Sequence, residues 1–201
     1  MAAEGRLSAD DWITAGLEVL VEGGVTAVRI LPISKRLGVT RGSFYWHFTG
    51  REALLGGLLD AWEDKNTTAV VQAATAPGTL IDRYIALSQL WLGCLDFDPR
   101  LEVAVREWSR HDPAVLEKLR AADERRLAAL AEMIEPEGHD PAMTRYRART
   151  IYRMQMGWHE GVDTSTAAKA ATPAAYFEIF LGRAPTASER EAIEAGICAA
   201  S

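Results

Sequence analysis

An all-α fold follows from three features of this 201-residue sequence. Four dipeptides, Asp98-Pro99, Asp112-Pro113, Asp140-Pro141 and Thr172-Pro173, place a capping side chain before a proline that suits a first helical position. Each is followed by apolar residues at helical spacing. No stretch combines sustained strand alternation with hairpin turn chemistry.

Taken in order, the first helix opens at Ser8, with Asp11 three residues on forming a capping box in which Asp replaces the usual Glu. Ile13, Leu17, Leu20 and Val21 form its buried stripe, and Gly23-Gly24 ends it. Pro32 fixes the start of the second. A helix begun at Thr26 would hold the proline in its interior at a cost of ~3 kcal/mol. A start near Arg29 leaves it harmlessly in the first turn, so this helix spans Ile30–Leu37. It stops at Gly38, turns through Val39, and a short third helix begins at Thr40. That helix has small or polar groups on one side and Phe44 and Phe48 on the other. Arg51 opens a fourth helix through Leu54, Leu55, Leu58, Leu59 and Trp62, and Thr75-Ala76-Pro77-Gly78 is a break.

Residues 80–92 are apolar on two sides, which suits a central helix. After Pro99 come Leu101, Val105 and Trp108; after Pro113 come Leu116, Leu119, Leu127, Leu130 and Ile134. After Pro141 the stripe is Met143, Tyr146, Thr150, Met154 and Trp158. Asp163–Thr172 is small and polar and reads as a mobile loop. Pro173 starts a helix with Tyr176, Phe177 and Phe180, and a Ser188/Glu191 capping box starts a weak Ala-rich terminal helix. There is no internal repeat.

The composition, 48% apolar and 25% charged, is that of an ordinary globular chain. No apolar run approaches the roughly 18 residues of a membrane span, and the start lacks a signal-peptide stretch. No membrane partner is expected. Cys94 and Cys198 lie far apart, outside metal-ligand spacing, and read as reduced thiols of a cytoplasmic protein. The net charge is −6, yet Thr26 to Arg51 holds five basic residues and no acid. Residues 1–51 are net +1 and the rest net −7. A basic face on an acidic body suits phosphate contact at one end.

Two short helices joined by a Gly-containing turn make a helix-turn-helix, whose second helix can enter a major groove. The run Gly38 to Leu55, with Phe44-Tyr45-Trp46-His47-Phe48 and then Arg51-Glu52-Ala53-Leu54-Leu55, resembles the DNA-binding region of the TetR family of bacterial regulators. The resemblance covers about the first 60 residues. It implies a homodimer with an N-terminal helix-turn-helix DNA-binding domain, residues 1–50, and a C-terminal helical ligand-binding and dimerisation domain, residues 51–201. It places Arg41, Gly42 and Ser43 at the base-facing start of the recognition helix, and Tyr45, Trp46, His47 and Arg51 near phosphates. Thr40 serves as helix cap and phosphate donor. Physically, Arg41 can pair bidentately with a guanine edge, while Gly42 and Ser43 permit close approach. Trp46, Tyr45 and His47 stay open between packing and DNA contact. The sequence departs from the family pattern at Arg29, which stands where a Ser or Thr often caps the second helix, and at Leu31 and Pro32. Arg29 can still reach a phosphate.

In the body, Trp62, Tyr84, Trp91, Phe97, Trp108, Tyr152 and Met154 fit either a packed core or the wall of the effector pocket that the resemblance implies. Gln89, Glu107, Arg110 and Gln155 are the candidate polar groups there. Helices of about 113–135 and 141–162 form the expected dimerisation pair, with Gly157 and Gly161 allowing close approach. No nucleophile elbow or Gly-rich phosphate loop occurs. His159, Glu160 and Asp163 have ligand chemistry without convincing metal spacing. The expectation is no enzyme, no catalytic residue, no cofactor and no metal. The function expected is a ligand-responsive regulator, most often a repressor in this family, reading a palindromic double-stranded DNA operator in response to a small-molecule effector. The alternative is a helical small-molecule-binding or interaction protein without sequence-specific DNA binding.

Overall fold

The computed structural model describes residues 7–92, 97–158 and 166–198, which are helical with no strand among them. The helices are α1 (Ala9–Gly23), α2 (Ile30–Arg36), α3 (Arg41–Phe44), α4 (Arg51–Trp62), α5 (Ala69–Thr75), α6 (Leu80–Trp91), α7 (Pro99–Ser109), α8 (Pro113–Ile134), α9 (Pro141–Trp158), α10 (Thr166–Leu181) and α11 (Ala187–Cys198). A π-helical turn, Glu63–Thr68, joins α4 to α5. Two compact units emerge, Met1–Asp64 with Pro99–Leu119, and Lys65–Asp98 with Arg120–Ser201. The unit that holds the first three helices therefore also takes in α4 and α7, beyond residue 50.

In the first unit the expected Ser8/Asp11 capping box forms at 2.6 and 3.2 Å. The Ser8 hydrogen bonds hold the Asp11 carboxyl below its ordinary range. The buried face of α1 is rotated from the expected stripe: Trp12, Ala15, Gly16, Val19 and Leu20 are inside, and Ile13, Leu17 and Val21 only half-buried. Two contacts set that rotation. Trp12 meets Phe44 edge-on at 5.2 Å, and a Cβ at Gly16 would stand 2.8 Å from the Leu58 side chain, so α4 crosses α1 against bare backbone. Leu20, Val28, Ile33, Phe44, Leu54, Leu58 and Trp62 complete a core without solvent exposure. The Trp62 indole N–H donates to buried Glu102 at 2.8 Å, and Arg106 pairs with the same carboxylate at 2.9 Å.

In the second unit α6 packs against α5 and α11, and α10 against α9 and α11. Tyr84, Leu87, Leu130, Ile134, Ile151, Phe177 and Ile193 lie in its core. A buried cation belongs to it. Arg126 has no solvent exposure, donates to the Thr67 hydroxyl from Nε (3.1 Å) and Nη2 (2.7 Å), and to the Tyr152 hydroxyl from Nη1 (2.8 Å). Tyr152 in turn donates to Asp123 at 2.5 Å. Such a charge is tolerated because its donors are met.

Several helix ends differ from the sequence expectation. Asp112 and Asp140 do cap α8 and α9, accepting from the N–H groups of Ala114 (3.0 Å) and Ala142 (2.9 Å). Thr172-Pro173 is not a start. α10 begins at Thr166, so Thr166–Thr172 is helix rather than loop and Pro173 lies inside it. The alanines of 167–172 favour helix strongly enough to outweigh the proline. The cap of α11 is Thr186 with Glu189, not Ser188 with Glu191. Arg183, bonded to both Glu189 oxygens at 2.8 Å, holds Glu189 in that place. On α9 the stripe Met143, Tyr146 and Thr150 faces solvent, while Thr144, Ala148, Ile151, Tyr152 and Gln155 are buried. Arg147 fixes this rotation by donating to the carbonyls of Ile179 (3.3 Å) and Phe180 (3.1 Å) at the end of α10. Gly161, His159, Glu160, Asp163 and Cys94 fall outside the described residues.

Candidate nucleic-acid interface and effector cleft

Local chemistry builds the helix-turn-helix. Buried Ser34 donates to the Ile30 carbonyl at 2.7 Å, and the Val39 N–H reaches back to the Ser34 carbonyl at 3.0 Å, closing α2. Gly38 between them has φ 68°, a conformation costly for any residue with a Cβ. α3 then makes a single α-turn, extended by the Phe48 N–H bonding the Phe44 carbonyl at 3.0 Å. Phe44 anchors it, stacked with Phe48 at 5.3 Å.

With Phe44 fixed inward, its neighbours are forced out. Tyr45 is 55% exposed and Trp46 77%, values that place neither in a core. Arg41 and Gly42 are exposed, Ser43 and His47 half-buried. Arg41 has no hydrogen bond or ion pair among the described residues, so its guanidinium is available to an outside partner. Thr40 occupies the cap position of α3, but its side chain makes no capping bond. Arg29 likewise caps α2 without a side-chain bond, its Nε donating instead to the Thr26 carbonyl at 3.0 Å. Arg51 is used differently from Arg41. Its Nε and Nη2 donate to the carbonyls of Val28 (2.7 Å) and Val25 (2.8 Å), tying α4 to the segment before α2. Arg36 is paired with Glu18 and Glu22.

A small open cleft, with a cavity volume of about 40 Å³, lies within the second unit. Tyr84, Trp91, Met154 and Gln155 line it, four residues expected from the sequence. Ser88, Leu92, Pro173, Tyr176 and Phe180 line it as well. Tyr176 and Phe180 were visible as apolar helix positions; the misplaced start of α10 hid their direction. The remaining candidates are elsewhere. Trp62 and Trp108 are buried in the first unit, and Glu107 and Arg110 form an exposed ion pair at 3.1 Å. Phe97 is core, Tyr152 serves the Arg126 network, and Gln89 donates to the Gly196 carbonyl at 2.9 Å. Among the described residues no cluster of His, Cys, Asp and Glu can hold a metal, and no helix is long and apolar enough to cross a membrane.

Residues 13–58 match the family model of bacterial regulatory proteins, tetR family. An HTH-type transcriptional regulator of Pseudomonas putida, TtgW, is 41% identical over 58 residues, 29% of this chain and 43% of that protein. The class A tetracycline repressor protein from transposon 1721 of Escherichia coli is 36% identical over 69 residues, 34% of this chain and 32% of that protein. The matched stretch thus spans less than half the length of these relatives. Over most of the chain the fold is shared with E. coli NemR in its reduced form (TM-score 0.63, 18% identity, 89% of this chain and 99% of that one). It is also shared with Bacillus subtilis FadR solved in complex with stearoyl-CoA (TM-score 0.59, 18% identity, 87% and 98%). The chain thus carries a DNA-binding region similar to that of the tetR family over residues 13–58, on an all-helical fold shared with these solved structures.

Proposed function

We propose that this chain is a ligand-responsive transcriptional regulator of the cytoplasm, acting as a repressor and reading a palindromic operator as a homodimer. The observation that carries the reading is α3. It presents an unpartnered Arg41 beside exposed Tyr45 and Trp46, on a helix-turn-helix whose inner face is closed by Phe44. Arg41 supplies base readout, and Arg29, Thr40, Tyr45, Trp46 and His47 supply phosphate contacts. Gly42 and Ser43 allow the helix to sit close to the groove floor. Arg51 acts chiefly by holding α4 in place, which orients the reading helix.

The second unit supplies the effector site and the dimer surface. Met143 (43% exposed) and Tyr146 (63%) on α9 suit burial against a second copy, with α8 as the other member of the pair. Two-fold symmetry then demands a palindromic site. The tetracycline repressor among the relatives, and the stearoyl-CoA held by FadR, support ligand control of DNA binding. An effector releases DNA only to the extent that it binds the non-reading conformer more tightly. No step in this scheme requires catalysis.

Selection from random duplexes tests the reading. The chain is expected to enrich a palindrome at physiological salt, and Arg41→Ala to weaken binding to it by ~1–3 kcal/mol while relaxing one position per half-site. Weak, sequence-blind, strongly salt-dependent binding by the folded chain would instead favour an interaction protein without operator recognition.

A further inference from the structure

We propose that two copies of this chain recognise each other through opposite charge, the arginine line of α9 in one copy lying against the glutamate and alanine line of α8 in the other. The inference rests on the homodimer reading above and adds to it which helix meets which, and why.

The arginine line starts in the sequence. Helix α9 holds Arg145, Arg147, Arg149 and Arg153 and no Asp or Glu. Arg147 is occupied by the carbonyls of Ile179 and Phe180. Arg145, Arg149 and Arg153 are exposed and follow one another at a spacing of four, so they share one side of the helix. None of the three has a hydrogen bond or ion pair among the described residues. Like charges at that spacing oppose one another, and no acid among the described residues relieves them. Met143 and Tyr146, both exposed, lie beside the line. Arg, Tyr and Met are the side chains that protein interfaces collect.

Helix α8 carries the counterpart. Ala121, Glu124, Ala128 and Glu132, with Glu135 just past its end, recur at three or four residues and are all exposed. The carboxylates of Glu124, Glu132 and Glu135 have no partner among the described residues. Arg120 and Arg125 flank this line without lying on it, and residues 127–137 include no Lys or Arg. The alanines between the acids leave room for a guanidinium to lie flat and reach a carboxylate. Within one copy the two helices already meet through Tyr152, bonded to Arg126 and Asp123. The exposed charges are left over from that contact.

A second copy is the partner that such a pair of lines fits. A two-fold interface sets residue i on j and j on i, so a chain with both lines meets its complement twice. Helix α9 on α9 would set arginine on arginine, and α8 on α8 glutamate on glutamate. Charge therefore selects the crossed pairing against the other two. Because these charges start in water, their attraction is screened by salt.

Sedimentation equilibrium of the full-length chain tests this with three variants. One combines Glu124→Lys and Glu132→Lys, one combines Arg145→Glu, Arg149→Glu and Arg153→Glu, and the last carries all five changes. Far-UV circular dichroism confirms that each stays helical. The wild-type chain is expected to dimerise, more weakly as salt rises from about 0.05 to 0.5 M. Each one-line variant is expected to dimerise about tenfold or more weakly. An equimolar mixture of the two, and the five-change chain, should return to within a few-fold of wild type. Should a reversal unfold the chain, Glu132→Gln and Arg149→Gln replace it, each expected to flatten the salt dependence; an unaltered dependence there counts against the pairing. One-line variants that dimerise as tightly as wild type, or a five-change chain as weak as either, overturn the crossed pairing and leave the homodimer reading standing. A wild-type chain that stays monomeric overturns both and leaves the arginine line to an acidic partner of another kind.

Discussion

In the first unit Tyr45 and Trp46 stand in solvent beside the unpaired Arg41, while in the second Tyr84, Trp91, Tyr176 and Phe180 turn towards one another around a cleft. The residue types are the same and the exposures opposite. What separates them is the neighbour that claims the interior. In α3 one turn of helix holds adjacent aromatics, and Phe44, packed on Trp12 and Phe48, takes the inward position. Tyr45 and Trp46 therefore have no interior left to occupy. In the second unit the aromatics come from different helices, α6 and α10, so each can face inward. Exposed aromatics beside a free cation suit a large, charged partner; mutually packed ones suit the wall of a small, mostly apolar site.

The largest expected effect sharpens this contrast at its anchor. Trp12→Ala empties the site under Phe44 and should cost about 3–5 kcal/mol of stability, measured by denaturant unfolding. A loss below about 1 kcal/mol would show that α3 is held by something else. An intermediate effect is expected at the end of the second unit. The Arg183 guanidinium holds the Glu189 carboxyl down to about 2. A depressed carboxyl stabilises the fold above its unfolded value near 4.5 and loses that contribution as pH falls towards 2. Glu189→Gln should therefore cost about 1 kcal/mol near pH 7 and next to nothing at pH 2. A pH-independent difference in Tm would refute the ion pair as its cause. The smallest stability effect belongs to Trp46→Ala, within about 0.5 kcal/mol, because the ring touches little of its own chain. Its operator affinity should nevertheless fall. If stability drops as far as in Trp12→Ala, Trp46 is a core residue and the contrast between the units fails.

Much of this arrangement was legible in the sequence. Caps at Ser8, Asp112 and Asp140 were readable because their chemistry is local. The turn through Gly38 was readable for the same reason. Phe44 and Phe48 four apart predicted an inward pair, and exposed neighbours followed from it. What misled was rotation. Ile13 and Leu17 are as apolar as Val19 and Leu20, and the bare backbone of Gly16 against Leu58, with Trp12 against Phe44, decides which side of α1 faces in. On α9 the decisive contact is Arg147 with two carbonyls some 30 residues away in sequence, a pairing that no periodicity announces. Pro173 misled in another way. A proline after a threonine reads as a start, and here a run of alanines carries the helix through it. The cleft suffered most from this, since Tyr176 and Phe180 take their direction from the true course of α10.

The π-helical turn Glu63–Thr68 has a consequence for how this chain tolerates changes in length. Leu58, Trp62, Asn66, Val70 and Ala74 are all buried and all four residues apart. In a uniform α-helix a spacing of four drifts by about 40° at each step, or roughly 160° over the run, which would swing Ala74 nearly to the opposite side. The wider turn absorbs part of that drift, so Asn66 and Thr67 can meet the Asp98 backbone and Arg126 from the buried side. A turn of this kind amounts to one residue inserted in an α-helix. Deleting a single residue there would restore regular winding at the turn itself and take Asn66 and Thr67 from the Asp98 backbone and Arg126. Loss of a codon in this stretch is thus a local error: α5 keeps the face it presents, and the contacts of the turn are what is lost.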